Sequence, residues 1–299
     1  MWRGHAEPAV GLAYGDAVGS LLARRPGAVD FVEVPFELLV HTPEAASAYD
    51  LPVVLHCASL SLAGNLPPSP AVVAELRRRI AQTGTPWLGE HLAFVSMMAA
   101  TAPSLHDAFA PSVDDLASAG GDAGPWNIGY TVSPQYSEEM LDRVSAALER
   151  WSQVLACPIL IENGPVYFEI PGSTMSQSDF LRRLCARNEN VRLLLDLAHL
   201  VCTGANTGED PHDLLKKIPL ERVVEIHLSG AQADAGTVWD DHAVPIAPLA
   251  FDLLDHLLHG TTPQAVTIEY NWDPDFPLGT IEADLAKVRA LAGRRMVAA

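Results

Sequence analysis

Short apolar runs alternate with amphipathic segments from one end of the chain to the other. The apolar runs are rich in Val, Ile and Leu and are nearly continuous, as strands buried on both faces are. They predict eight strands, at 10–15, 30–36, 52–59, 87–94, 158–164, 192–200, 223–230 and 265–272. The segments between them repeat apolar residues with a helical period and predict helices at 70–82, 137–155, 177–187, 210–217, 247–259 and 280–292.

This alternation of strands and helices favours α/β architecture, a single (β/α)8 barrel over residues 1–299. In such a barrel the active site forms at the C-terminal mouth of the strands. A doubly wound open sheet is the alternative. It is disfavoured because the chain has neither a G-x-G-x-x-G turn nor a G-x-x-x-x-G-K-[ST] phosphate loop.

Two local features add detail to this scheme. Ser137 is followed by two glutamates, and Pro211 and Pro248 stand where prolines fit the first turn of a helix. The segment 97–127 is rich in Ala, Ser, Gly, Pro and Asp and lacks periodicity, so we predict a long loop or lid after the fourth strand.

Composition narrows the class of protein. With 48% hydrophobic and 19% charged residues, the chain is typical of a globular protein with a large core. The N-terminus has no basic start followed by an apolar block, and no apolar run approaches the roughly 20 residues needed to cross a bilayer. The four cysteines form no C-x-x-C pair. We therefore expect no membrane association, and reduced thiols in the cytoplasm.

The formal net charge of −18 argues against nucleic acid as a partner. Phosphate backbones are bound by Lys and Arg, and the chain has 19 of these against 37 Asp and Glu. Bound cations would offset part of the acidity, and a basic peptide segment would be attracted to the rest.

Histidines and acids recur in or just after the predicted strands. Neutral imidazole and carboxylate groups delivered from the ends of many strands are the ligands of a first-row transition metal site. Their number exceeds what one ion uses, which favours a cluster of two or three ions. The candidate ligands are His56, His91, Glu162, Asp196, His199, His227, Asp240, His242 and Glu269.

A structural role is the alternative for each of these residues taken alone, because a single strand histidine is more often a hydrogen-bonded core residue than a ligand. The occurrence of nine such residues together favours metal binding over nine separate structural roles. Buried charges without partners cost several kcal/mol each, and the strand segments that carry them contain almost no Lys or Arg to compensate.

The spacing of the candidates sets conditions on the fold. Asp196 and His199 are three residues apart, so on one strand they face opposite sides, and both reach one site only if the chain turns after Leu197. Asp240 and His242, two residues apart, suit delivery from an extended loop to one side. Glu162 ends an apolar run and is the candidate bridging carboxylate.

Three further glutamates accompany these candidates. Glu90 and Glu225 precede or alternate with candidate histidines, so we expect them to face outward or to orient imidazoles. Glu33 is open to three interpretations: a metal ligand, a partner of a ligand, or a substrate contact.

The ordered series GLAYG, GEHLAF, ILIENGP, LLLDLAHL, LERVVEIHLSG, DDHAVP and IEYNW resembles the multinuclear non-haem iron-dependent oxidative enzymes, the group that includes the methanobactin-forming oxidase. The resemblance covers most of the chain. It implies a (β/α)8 barrel with two or three irons in mixed Fe(II)/Fe(III) valence, and O2 as co-substrate. All nine candidate ligands match the family's ligand positions.

The resemblance also implies a substrate and a partner. Family members modify ribosomally synthesised precursor peptides, typically at cysteine, and often require a small partner protein that presents the leader peptide. Asn163, beside the candidate bridging carboxylate, is expected to contact substrate or oxygen. Redox-active iron suits such chemistry and zinc does not.

Two features depart from the family pattern. Many relatives carry another histidine shortly after the His227 strand, where this chain has Ala231 and Gln232, and the segment 97–127 is longer than expected. Both positions bear on which peptide and which residue are modified, more than on the metal site.

Two other functions fit a barrel lined with His, Asp and Glu. One is a divalent-metal isomerase, epimerase or hydrolase acting on a sugar or a phosphate ester. The other is a non-catalytic metal-binding or peptide-binding protein, which would keep the fold but lack open coordination positions.

Overall fold

Eight parallel strands close into a barrel at the centre of the computed structural model, which describes residues 7–98, 125–270 and 277–294. The strands follow one another around the barrel in chain order, and the last pairs with the first. They are β1 (Ala9–Ala13), β2 (Phe31–Pro35), β3 (Val53–Cys57), β4 (Leu88–His91), β7 (Ile159–Glu162), β8 (Arg192–Asp196), β9 (Val223–Leu228) and β12 (Ala265–Ile268).

Helices connect these strands and surround the barrel. They are α1 (Asp16–Arg24), α2 (Leu38–His41), α3 (Pro70–Thr83), α4 (Glu138–Leu155), α5 (Gln177–Arg187), α6 (Leu197–Thr207), α7 (Pro211–Lys217), α8 (Pro248–Gly260) and α9 (Leu278–Arg294). Two short 3-10 helices cover Pro43–Ser47 and Leu220–Arg222. Among the described residues, no helix combines the length and the apolar character needed to cross a membrane.

The predicted barrel and the six predicted helices are confirmed, and each of the eight predicted strands corresponds to a barrel strand, although the one predicted at 192–200 ends early. Residues 271 and 272 of the last predicted strand lie outside the described part of the chain. The helix-start signals act as expected. Ser137 Oγ accepts a hydrogen bond from the backbone N–H of Met140 at 3.2 Å, and Pro211 and Pro248 occupy first turns. Helices α1 and α2 were not predicted, because both are short and neither has a side-chain N-cap.

The predicted strand at 192–200 is wrong beyond Asp196, where β8 ends and α6 begins at once. No glycine, proline or polar gap separates the two elements, because Asp196 serves as both the last strand residue and the N-cap of the helix. The apolar run therefore continues from the strand into the helix, so the boundary between them could not be recognised from the sequence.

Two antiparallel β-hairpins were also not predicted from the sequence. β5 (Phe94–Met98) pairs with β6 (Pro125–Val132), and β10 (Ala231–Asp234) pairs with β11 (Thr237–Asp240). The predicted loop at 97–127 is thus wrong at both ends, which are strands, while residues 99–124 lie outside the described part of the chain.

The lower half of the barrel interior is filled with hydrocarbon. A buried cluster is formed by Phe31, Val54, Trp87, Leu160, Leu194 and Ala265. Gly11 leaves the space for one of these rings, because a Cβ there would lie 2.3 Å from Phe31 Cζ. Above this cluster, a cavity lined by described residues opens at the C-terminal ends of the strands.

Candidate metal centre

The candidate ligands on the barrel strands occupy inward-facing positions at the C-terminal end. Strand residues alternate in direction, so a residue two places after an interior apolar residue also faces the interior. His56 follows Val54 in this way, and Asp196 follows Leu194. The strand register then pairs Asp196 with His227 on the neighbouring strand. The period of two in the sequence therefore brings these side chains to one end of the barrel.

Glu162 is the residue that joins them. Its Oε2 atom lies 3.2 Å from His56 Nε2 and 2.5 Å from His91 Nδ1. Its Oε1 atom lies 3.6 Å from His227 Nδ1 and 3.8 Å from His199 Nδ1. One buried carboxylate, 1% exposed, thus faces imidazoles from four different chain segments.

His227 is held between carboxylates on both sides of its ring. Its Nδ1 lies 3.1 Å from Glu269 Oε2, and its Nε2 lies 3.0 Å from Glu33 Oε2. The carboxylate of Glu33 therefore fixes the ring and directs Nδ1 toward Glu162. This contact fits a partner of a ligand, but Glu33 also belongs, with Glu225 and His227, to a group that could hold a metal ion, so its role stays a prediction.

A second group lies beside the first and shares His199 with it. Asp240 Oδ2 is 3.0 Å from His199 Nε2 and 2.8 Å from His242 Nε2. Ser229 Oγ donates to the other oxygen, Asp240 Oδ1, at 2.9 Å. Since His199 also approaches Glu162, the two groups form one continuous cluster.

The turn required by the Asp196–His199 spacing is present, and it falls after Asp196. Asp196 Oδ1 accepts a hydrogen bond from the backbone N–H of His199 at 2.7 Å. This cap turns the chain into α6 and brings the His199 ring to the same side as the Asp196 carboxylate, whose Oδ2 lies 3.8 Å from His199 Nε2.

Asn163 joins the ends of two neighbouring strands. Its Nδ2 donates to the Asp196 carbonyl at 3.0 Å, and its Oδ1 accepts from the Asp196 N–H at 2.9 Å. Its own carbonyl lies 2.5 Å from His199 Nδ1. The side-chain amide thus positions Asp196 and the backbone carbonyl positions His199, while direct contact of Asn163 with substrate or oxygen stays a prediction.

The hydrogen bond to Asn163 also decides which nitrogen of His199 carries a proton. A carbonyl oxygen can only accept, so Nδ1 donates to it. A neutral His199 then presents the lone pair of Nε2 to the carboxylate of Asp240, an arrangement that is repulsive unless a positive charge lies between the two atoms. Either a second proton or a bound cation satisfies this geometry.

The pKa values of the clustered side chains also indicate that negative charge at this site needs a positive partner. Burial raises the pKa of the Asp196 carboxyl, with Asp240 adding to the effect, to about 6. Burial lowers the pKa of His242, but Glu269 and Asp240 outweigh it and raise the value to about 9. Burial also opposes ionisation of Glu162, yet the neighbouring His91 and His56 hold its pKa well below the usual range.

The donor set fits bound metal ions. Buried atoms without hydrogen-bond partners include Glu162 Oε2, Asp196 Oδ2 and His227 Nδ1, and all three face the cluster. In the described part of the chain, no Lys or Arg side chain pairs with these carboxylates. Nitrogen and carboxylate oxygen donors without thiolates suit first-row divalent ions.

The structure brings together all nine residues that the sequence nominated as ligands. Glu90 faces away from them. Its Oε2 accepts from the Leu60 N–H at 3.1 Å, and burial raises the pKa of its carboxyl well above the usual range.

Sequence reasoning missed several supporting residues. Ser229 holds Asp240, and both oxygens of Glu225 are bonded: Trp87 Nε1 donates at 2.6 Å and Thr267 Oγ1 at 2.7 Å. Ser229 stands two residues after His227, so the inward-facing period of two was the signal available for it. Glu225, which the sequence analysis expected to face outward or to orient an imidazole, is fully buried, and its Oε1 lies 3.9 Å from His227 Nε2.

A cavity of about 400 Å³ opens beside the cluster. His91, His199 and Asp240 form its inner wall. The outer walls are mostly apolar and come from residues 131–133, residues 164–168, Ile170 and Trp239. A substrate in this cavity would touch the candidate ligands directly.

Comparison with known proteins now adds to this geometry. The family model described as RiPP precursor modification enzyme MbnB/TglH/ChrH matches residues 9–109 and 131–293, which is most of the chain. The chain belongs to this family. The matched regions include every candidate ligand, so the cluster lies within the part that the MbnB/TglH/ChrH proteins share.

Individual similarities agree with that membership. A UPF0276 protein of Streptomyces avermitilis is 30% identical over 286 residues, covering 93% of this chain and 54% of the relative. A UPF0276 protein of Caulobacter vibrioides is 32% identical over 161 residues, covering 54% of this chain and 57% of the relative. The chain thus spans about half the length of these two relatives.

Among solved structures, a xylose isomerase-like TIM barrel protein from Mycobacterium smegmatis in complex with magnesium is similar, with a TM-score of 0.55 and 11% identity. The match covers 97% of each chain. At 11% identity this similarity supports the barrel fold of the MbnB/TglH/ChrH-family chain and says nothing about its function.

We expect Gly89→Ala to disturb the metal site of this family member. A Cβ at Gly89 would lie 2.7 Å from His56 Nδ1 and 3.0 Å from Leu194 Cδ1, so the imidazole must move away from Glu162. Such overpacking costs about 1–3 kcal/mol. Elemental analysis should show fewer metal ions per chain than in the wild type. Gly279→Ala, where an added Cβ meets nothing within 4 Å, is the control, and equal metal contents would contradict the role of Gly89.

Proposed function

We propose that this chain is an iron- and O2-dependent oxidase that modifies a cysteine residue of a ribosomally synthesised precursor peptide. Membership of the precursor-modification family supports the peptide substrate. The observation that carries the proposal is the buried Glu162 carboxylate faced by four imidazoles, with a second His–Asp–His group adjoining it. One ion cannot use so many donors.

Two or three irons would be held by the nine clustered residues, in mixed Fe(II)/Fe(III) valence. The ligands are His56, His91, Glu162, Asp196, His199, His227, Asp240, His242 and Glu269. Iron bound here supplies one-electron redox chemistry with O2, which hard divalent ions such as magnesium do not. Glu162 is the proposed bridge because its two oxygens face different imidazoles.

The surrounding residues hold the donors in place. Glu33 accepts a hydrogen bond from His227 Nε2 and so presents Nδ1 to the site. The backbone carbonyl of Asn163 accepts a hydrogen bond from His199 Nδ1 and so presents Nε2 to the site. Ser229 fixes the orientation of the Asp240 carboxylate. A donor set already ordered in this way loses little conformational freedom when substrate binds.

The cavity favours a peptide over a sugar phosphate. Apart from Tyr167, the ionisable residues among its described lining are His91, His199 and Asp240, all candidate ligands. A phosphate ester would require cationic side chains, and neither Lys nor Arg belongs to that lining. Its apolar walls suit hydrophobic peptide side chains and exclude water from the reacting thiol.

We further propose a partner and a location. A small protein that binds the leader segment would bring the precursor to the barrel mouth, because the described cavity accommodates only a few residues around the modified one. All four cysteines are buried and free, which agrees with reduced thiols in the cytoplasm.

Anaerobic purification followed by a peptide assay tests the proposed function. The chain is produced together with a candidate precursor peptide that contains one cysteine, and iron content, Mössbauer spectra and peptide mass are measured. We expect at least two irons per chain, and a peptide mass change that requires O2 and is lost when the peptide cysteine becomes serine. Turnover without O2 on zinc- or manganese-loaded protein would instead place the activity with isomerases or hydrolases.

A further inference from the structure

Two exposed aromatic side chains line the cavity beside the candidate metal centre. Among residues whose exposure is described, four large hydrophobic side chains are exposed. Two of these four, Phe168 at 68% and Trp239 at 42%, line this cavity. Apolar surface left open at the rim of a site is characteristic of a surface that binds a ligand.

Trp239 and Tyr167 form the core of this aromatic wall. Their ring centroids are 4.7 Å apart with the planes inclined at 41°, and both rings line the cavity. Trp239 lines the same cavity as the candidate ligands His91, His199 and Asp240, so a group packed on the indole lies in the space that these ligands bound. The wall therefore contacts whatever adjoins the reacting residue.

One helix fixes both halves of the wall. On α6, Thr203 Oγ1 accepts from the N–H of Val166, the neighbour of Tyr167, at 3.0 Å. Three residues later, Asn206 bonds both backbone groups of Val238, the neighbour of Trp239, at 2.9 Å each. Because α6 also carries His199, the wall and the metal ligands belong to one ordered unit.

We propose that this wall binds a large apolar side chain, aromatic or aliphatic, on the peptide residue next to the modified one, and that Trp239 thereby determines which peptides are accepted. The inference rests on the proposed function. The cavity of about 400 Å³ has room for a second side chain beside a cysteine. Since the described walls carry no charged group apart from the candidate ligands, a charged neighbour would lose its hydration without gaining a partner.

Synthetic peptides that differ at one position test the proposal. The probes are acetylated heptapeptides with a single cysteine whose neighbour, on either side, is Phe, Leu, Ala or Asp. Dissociation constants are measured by calorimetry on the iron-loaded protein under argon, so that binding is separated from turnover. We expect the Phe and Leu peptides to bind about tenfold more tightly than the Ala peptide on one side of the cysteine.

Variants assign that preference to the wall. Trp239→Ala should reduce the Phe-over-Ala preference to about twofold or less, whereas Trp239→Phe should retain most of it. Val154→Ala is the matched control, because Val154 is also an exposed apolar residue, at 38%, but lies on α4. Thermal unfolding and iron content of each variant identify any general loss of structure.

The outcomes separate this inference from the proposed function. No preference in the wild type, or an equal preference in a folded, iron-loaded Trp239→Ala variant, overturns the inference even if the peptides are oxidised. If the heptapeptides show the preference while a full-length precursor peptide, supplied with its leader-binding partner, is not oxidised in air, the subsite stands and the proposed oxidase function fails.

Discussion

Glu162→Ala is expected to reduce the iron content to at most one ion per chain. The Glu162 carboxylate faces His56 and His91 through one oxygen and His227 and His199 through the other. Alanine removes this fixed negative charge and both carboxylate oxygens, so the ions lose the one protein ligand that faces all four imidazoles. We therefore expect elemental analysis of anaerobically loaded protein to show a loss of half or more of the iron, and the proposed oxidase activity to fall by about 100-fold or more.

Glu90→Gln is the control for this variant. Glu90 lies on the neighbouring strand, is equally buried at 1%, and faces away from the cluster. Burial raises the pKa of its carboxyl, so the neutral acid and glutamine are close in shape and charge. The control should keep its iron. Full iron occupancy in Glu162→Ala would refute the bridging role of Glu162.

Removal of the metal is expected to lower the unfolding temperature by roughly 10–20 °C. Without cations, the acids Glu162, Asp196, Asp240 and Glu269 lie within one buried cluster whose positive charge comes only from protonated histidines. Two ions, each present at about 100 times its dissociation constant, would contribute about 5 kcal/mol to the free energy of unfolding. For a chain of this size that corresponds to a shift of roughly 10–20 °C.

The measurement compares thermal unfolding of iron-loaded and chelator-treated protein at one heating rate and one pH. The Glu162→Ala variant is the internal control, since it has less metal to lose and should shift by less than half as much. A wild-type shift below about 2 °C would show that the cluster is stable without cations and would contradict the charge argument.

The barrel could be predicted from the sequence because its strands are buried on both faces. Such strands appear as short apolar runs separated by helical segments, and this pattern is independent of long-range detail. The start of α6 could not be predicted in the same way. Asp196 ends a strand and caps a helix in one residue, so the signal that usually separates two elements is missing.

The nine clustered side chains could be nominated from the sequence because acids and histidines are costly inside apolar strands. Their mutual contacts could not. Whether Asp196 and His199 meet depends on a turn that the sequence left open, and the structure resolves it through the cap from Asp196 to the His199 N–H. The role of Glu33 likewise required the fold, which places it 194 residues away in sequence but 3.0 Å from His227.

The contact between Trp239 and Tyr167 in the aromatic wall could not be predicted from the sequence pattern. Trp239 lies on a short hairpin strand and Tyr167 in the segment after β7, and neither has a periodic signal. Their proximity arises from α6, whose Thr203 and Asn206 anchor the two segments separately. Such a contact depends on hydrogen bonds between elements that are distant in the chain.

Anomalous scattering at the iron absorption edge, recorded on crystals of anaerobically purified protein, tests the central claim most directly. We predict two or more iron peaks at the C-terminal mouth of the barrel. One should be bounded by Glu162 and its imidazoles, and another by Asp240 and His199. A map with no iron peak at this mouth, or with a single peak that Glu162 does not contact, would contradict the account.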